Sequence, residues 1–159
     1  MKKLRNKGGF TLVEMLCALL VLVLASAAMI MEISFATRTY KESMDVSNAQ
    51  VLCSTLSATA GEELRYAGGT PDTDGSGNLQ FSSIHYGSSA AFSQDENGQV
   101  NLGGEKILSP AAYPNGLKGS VELSYKGNAY TVSIKVTSAG GAELAKNTFV
   151  VEPLGAKGA

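Results

Sequence analysis

The order of apolar and polar positions divides the chain into three stretches. Residues 10–35 hold no proline or glycine, and their Leu/Val/Ala/Met core is interrupted by Glu14, Ser26 and Glu32. A run of this length and composition predicts one continuous helix able to enter a bilayer. Glu14 and Glu32 are 18 residues apart, about five helical turns and roughly 27 Å, so both face the same side. With hydrocarbon about 30 Å thick, Glu32 reaches the outer interface while Glu14 lies at or just inside the inner one. From Ser34 to about Arg65 the composition turns mixed. Ile33, Ala36, Tyr40, Met44, Val51, Leu52, Leu56 and Leu64 recur mostly three or four apart, with Arg38, Lys41, Glu42, Asp45, Asn48 and Gln50 between them. That pattern predicts an amphipathic helix packing one face on a globular domain, ended by Gly68-Gly69-Thr70-Pro71.

After Pro71 the helical period disappears, glycines become dense, and β-branched and aromatic residues alternate with polar ones. The expected strands are 79–83, 91–94, 99–102, 120–126, 130–137 and 143–152. The alternation is clearest where Val121, Leu123 and Tyr125 interleave with polar neighbours, followed by Tyr130, Val132, Ile134 and Val136 in the same manner. Gly127-Asn128 between them predicts a tight hairpin. Ser138-Ala139-Gly140-Gly141 turns the chain into a third strand carrying Phe149 and Val151, so residues 120–152 read as an antiparallel meander with one face buried. The fold class expected is therefore α+β: a long N-terminal helix followed by a small antiparallel β domain. The boundaries that follow are a leader over 1–9, a membrane helix over 10–35, an amphipathic helix over 36–67 and a β domain over 68–159.

Composition limits the alternatives. A chain of 159 residues, 44% of them hydrophobic, holds one modest domain besides a membrane segment. The formal net charge of −1 conceals an asymmetry, because Lys2, Lys3, Arg5 and Lys7 lie in the first nine positions. The rest is acidic, which gives no electrostatic footprint for direct nucleic-acid binding. The basic leader follows the positive-inside rule, placing residues 1–9 in the cytoplasm and the chain beyond Met31 outside. Cys17 and Cys53 are 36 residues apart, roughly 54 Å if both lie on one helix, too far for a disulfide between them; they read as small apolar packers, the alternative being an intersubunit bridge or an exposed thiol at Cys53.

The stretch Lys7-Gly8-Gly9-Phe10-Thr11-Leu12-Val13-Glu14 combines the end of the basic leader, a Gly-Gly pair, and a carboxylate near the start of the apolar run. Such an acid is costly in hydrocarbon without a partner and marks a functional site. This stretch resembles the type IV prepilin N-terminal motif shared by pilins and type II secretion pseudopilins. The resemblance implies that a prepilin peptidase cuts between Gly9 and Phe10 and methylates the new terminus. Glu14 would then be the fifth mature residue, its carboxylate meeting the Phe10 amine of a neighbouring subunit during assembly. The physics agrees, since the two charges desolvated together cost far less than either alone, and a wrong register leaves both unpaired. The implied protein is a structural subunit, held in the cell membrane as a single-pass protein until assembled into a pilus, secretion or competence filament. Its implied partners are other pilin or pseudopilin subunits, the prepilin peptidase, the membrane assembly machinery and membrane lipid.

Other chemistry has weaker signals. Asp72, Asp74, Ser76 and Asn78, with Gly77 between the last two, resemble the start of an EF-hand calcium loop, but position twelve is Ser83 where a bidentate glutamate belongs. The same residues make an ordinary solvated turn. The single histidine, His85, falls in an expected strand, where a surface or partly packed role outweighs a catalytic one. With no convincing triad, Walker loop, CxxC or HExxH, neither an enzyme nor a cofactor is expected. One alternative stays open: the basic leader, apolar run and Ala25-Ser26-Ala27 can be read as a secretory signal cleaved after Ala27, leaving a soluble β-rich binding domain. That reading leaves unexplained both Glu14 and the amphipathic continuation. A lipoprotein signal fits less well, because Leu16 precedes Cys17 where a small residue is required.

Overall fold

A single α-helix, α1 (Leu12–Arg65), precedes nine short strands in the computed structural model of this chain, which describes residues 11–73 and 78–154. The layout is α+β, as the periodicities predict. The chain divides into two compact units, Met1–Glu42 and Ser43–Ala159.

In the first unit the described residues form the N-terminal part of α1, with its leucines, valines and methionines exposed. This helix is long and apolar enough to cross a membrane by length and composition. Three hydroxyls along it do not spoil that character, because they bond back to the carbonyl four residues earlier: Ser26 to Leu22 at 2.7 Å, Ser34 to Ile30 at 3.0 Å and Thr37 to Ile33 at 2.8 Å. Such back-bonding removes the cost of placing a free hydroxyl in hydrocarbon. At the end of the unit Arg38 Nε meets Glu42 Oε1 at 2.9 Å, one turn apart.

In the second unit the remainder of α1 buries Ala49, Leu52, Cys53, Leu56, Ala60 and Leu64, spaced three or four apart. This corrects the expected helix face. Tyr40, Met44 and Val51 are exposed, and the small residues Ala49, Cys53 and Ala60 take the inner positions. Their size lets the sheet approach the helix closely.

Three antiparallel three-stranded sheets complete the unit. The first joins β1 (Gly68–Thr73), β2 (Leu79–Ser83) and β3 (Gly87–Ala90); the second joins β4 (Phe92–Gln94), β5 (Val100–Leu102) and β6 (Glu105–Lys106). The third is the expected meander, β7 (Lys118–Lys126), β8 (Ala129–Thr137) and β9 (Glu143–Val151). Its register pairs Val121 with Ile134 and Leu123 with Val132 across β7–β8, and Val132 with Phe149 across β8–β9. Tyr130, Val132, Ile134 and Val136 are all buried while their polar neighbours are not. The β7–β8 hairpin turns at Gly127 (φ 61°) and Asn128 (φ 66°), the two left-handed residues that a type I′ turn requires. Strands β1, β3 and β6 are additions to the expected set. β1 lies where the sequence predicted a helix-terminating turn, and its Gly-Gly-Thr-Pro run pairs with β2 through an irregular register.

Aromatic rings bridge the sheets, with Phe81 against Phe92 at 5.8 Å and against Tyr130 at 6.1 Å between centroids. The helix packs closely on Gly119 of β7, where a Cβ would lie 3.0 Å from a Leu56 methyl and 3.1 Å from a Val100 methyl. Glycine there admits helix side chains into the core.

Candidate functional site

The start of α1 is built by Thr11. Its carbonyl accepts the Met15 N–H at 3.1 Å, and its hydroxyl oxygen accepts the Glu14 N–H at 3.3 Å. Thr11 is thus the N-cap residue and Glu14 the third helical position, a Thr-x-x-Glu arrangement. The sequence carried this signal in Thr11-Leu12-Val13-Glu14, and reasoning from hydropathy alone missed it. An acid in the first turn is also favoured by the helix dipole. The Glu14 side chain is exposed among exposed apolar neighbours. Cys17 and Ala18 occupy the positions one turn on, so no cation of its own helix is within reach. The expected processing residues Gly9 and Phe10 lie outside the described residues.

Of the calcium candidates, Asp72 sits in β1 opposite Gln80, and its Oδ1 accepts the Thr73 N–H at 2.8 Å. Asn78 immediately precedes β2, while Asp74 and Ser76 lie outside the described residues. The loop is flanked by two strands where an EF-hand has two helices. Among the described residues no group of three or more His, Cys, Asp or Glu side chains could hold a metal ion.

His85 lies in the turn between β2 and β3, not in a strand. There it joins a constellation that sequence reasoning did not find. Glu63, near the end of α1 and 8% exposed, accepts the Ser83 hydroxyl at 2.7 Å on one oxygen and meets His85 Nδ1 at 2.7 Å on the other. At that distance from a carboxylate Nδ1 carries the proton. The Ser83 oxygen in turn accepts the His85 and Tyr86 N–H groups at 3.1 and 3.0 Å. A catalytic triad needs serine bonded to histidine; here the serine is buried and donates to the acid, so the three residues clamp the turn onto the helix. Nothing local in the sequence announces a pairing across 22 positions.

Both cysteines are free, Cys17 exposed and Cys53 buried. Burial pushes the Cys53 thiol up, partly offset by a hydrogen bond with Ser57, which leaves it a packing group of low reactivity. A groove of about 490 Å³ runs beside α1 and β9, bordered by Ser57, Gly61, Arg65, Phe149 and Glu152.

Residues 4–30 match the family model described as the prokaryotic N-terminal methylation motif, the prepilin-type motif of type IV pilins and pseudopilins. The match spans part of the basic N-terminal stretch and most of the apolar run of α1, and none of the strands. Neither the comparison with curated proteins nor that with solved structures gives a match.

Proposed function

From a chain that carries the prepilin-type methylation motif, we propose a structural subunit of a type IV pilus-like, type II secretion or competence filament. The observation that carries this reading is the motif at residues 4–30, with a carboxylate, Glu14, in the first turn of an exposed apolar helix. The precursor is cut between Gly9 and Phe10, and Phe10 is methylated. Residues 1–9 are the cytoplasmic leader, 10–35 the membrane and assembly helix, 36–67 a helix packed on the globular part, and 68–159 the extracytoplasmic β domain. In the filament the Glu14 carboxylate pairs with the Phe10 amine of an adjoining subunit. This gives each of two buried charges the partner it otherwise lacks and fixes the register between subunits. Prepilin peptidase and the membrane assembly machinery are the partners that act on the subunit before incorporation.

Mass spectrometry of the membrane fraction tests the reading. The expected mature chain begins at methylated Phe10, and substituting a bulky residue for Gly9 leaves an uncleaved, membrane-bound precursor. A chain beginning at Ala28 would contradict the proposal and point to a secreted domain.

A further inference from the structure

Glu32 is a second acid in the apolar helix, and the filament reading gives it no task. The positions one turn away are Ala28, Met29, Phe35 and Ala36, so no cation of its own helix lies within a turn of it. The nearest cation ahead of it, Arg38, is held by Glu42 at 2.9 Å. Yet the helix does not stop being fit for hydrocarbon at Glu32. Ile33, Ser34, Phe35, Ala36 and Thr37 follow, with both hydroxyls bonded to backbone carbonyls. Without the charge at 32, the uncharged span would run from Met15 to Thr37, 23 residues, or about 35 Å. With it, only 17 uncharged residues lie between the two acids, about 26 Å, short of a hydrocarbon layer of about 30 Å.

We propose that Glu32 sets the depth of the helix in the bilayer: its carboxylate stays at the outer lipid–water boundary and so holds Glu14 at the inner edge of the hydrocarbon. This inference rests on the membrane-anchored reading and extends it. Centring the 17-residue span puts residue 23 at the midplane and Glu14 about 13–14 Å from it, inside the half-thickness of about 15 Å. Centring the 23-residue span moves residue 26 to the midplane and Glu14 to about 18 Å, out in the cytoplasmic headgroups. Glu32 therefore keeps the assembly carboxylate next to the hydrocarbon. It also leaves the span slightly short of the layer, a mismatch that local thinning of the bilayer and snorkelling of the flanking acids absorb.

Cys17 is a built-in reporter, since it lies about 9 Å from the midplane in the first arrangement and about 13–14 Å in the second. The full-length chain in inverted cell-membrane vesicles, treated from the cytoplasmic face with a membrane-impermeant maleimide, reads that depth. Cys53 belongs to the extracytoplasmic part and stays out of reach of the reagent. Alkylation takes the thiolate, which hydrocarbon excludes, so native Cys17 reacts slowly and Glu32→Leu raises its rate about ten-fold or more. Glu32→Asp keeps the native rate, and Cys17→Ser abolishes the signal. Equal rates for the native chain and Glu32→Leu would overturn the depth-setting role. Native Cys17 reacting as fast in vesicles as in detergent-denatured protein would overturn the membrane anchor itself, an outcome distinct from the first.

Discussion

Removing the Glu63 carboxylate should loosen the end of α1 from the β2–β3 turn, and the structure sets the size of the effect. Glu63 makes two hydrogen bonds, both at 2.7 Å, to a buried Ser83 and to a His85 whose side chain is 68% exposed. A hydrogen bond to a charged group contributes about 1.5–3 kcal/mol. The bond to Ser83 falls in that range, whereas the contact with exposed His85 is screened and adds roughly 0–1 kcal/mol. Glu63→Ala should therefore destabilise residues 43–159 by about 2–4 kcal/mol. Ser83→Ala should cost about 2–4 kcal/mol, since it removes the bond to Glu63 and also deprives the His85 and Tyr86 N–H groups of their acceptor. His85→Ala should cost no more than about 1 kcal/mol. Urea unfolding of a fragment beginning at Ser43 measures the series, and a double-mutant cycle on Glu63 and Ser83 should give a coupling of about 1–2 kcal/mol. A Glu63→Ala fragment as stable as the native one would refute the reasoning. It would mean that the cost of burying the carboxylate cancels what its partners return.

Other consequences follow from the core and its titrating groups. Leu56, 1% exposed against Gly119 and the meander, should cost about 3–5 kcal/mol when replaced by alanine, because the rigid sheet cannot collapse into the space; urea midpoints check this. Burial, and secondarily the neighbouring Tyr125, push the Tyr130 hydroxyl up to about 12 from its ordinary 10.0. The unfolded chain releases that proton near 10 and the folded chain holds it to about 12, so stability is full below pH 10 and falls as the pH rises toward 12. Tyr130→Phe should show a flatter decline over that window in the same unfolding assay.

The parts of this fold that hydropathy revealed are those where one side chain in two, or one in three or four, carries a large apolar group. Strand β8 is the clearest case, because Tyr130, Val132, Ile134 and Val136 point inward with nearly no exposure. The inner face of α1 was harder, since Ala49, Cys53 and Ala60 contribute contact through smallness and leave little trace in hydropathy. Strands β1 and β3 read as turns because Gly68-Gly69-Thr70-Pro71 and Gly87-Ser88-Ser89-Ala90 have no apolar alternation. They are held as strands by pairing with β2. The Glu63 clamp depends on contacts between distant segments and has no local signature. At the N-terminus the opposite holds. The leader's last basic residue, the glycine pair, the capping threonine and the first acid all fall within Lys7–Glu14, so the candidate assembly site is legible in eight residues.

The central claim is that Glu14 serves contact between subunits. In the membrane the carboxylate can stay at the cytoplasmic boundary, so Glu14→Val should insert at least as well as the native chain. In a filament the same substitution leaves the Phe10 amine of an adjoining subunit desolvated and unpaired, at a cost of about 3–5 kcal/mol, enough to lower incorporation by about two orders of magnitude or more. Quantitative immunoblots of the membrane and sheared-filament fractions, in cells expressing native or Glu14→Val chain, make the test. The variant should be processed, folded and at native abundance in the membrane yet nearly missing from filaments; native-level incorporation would show that Glu14 has no partner across the subunit contact.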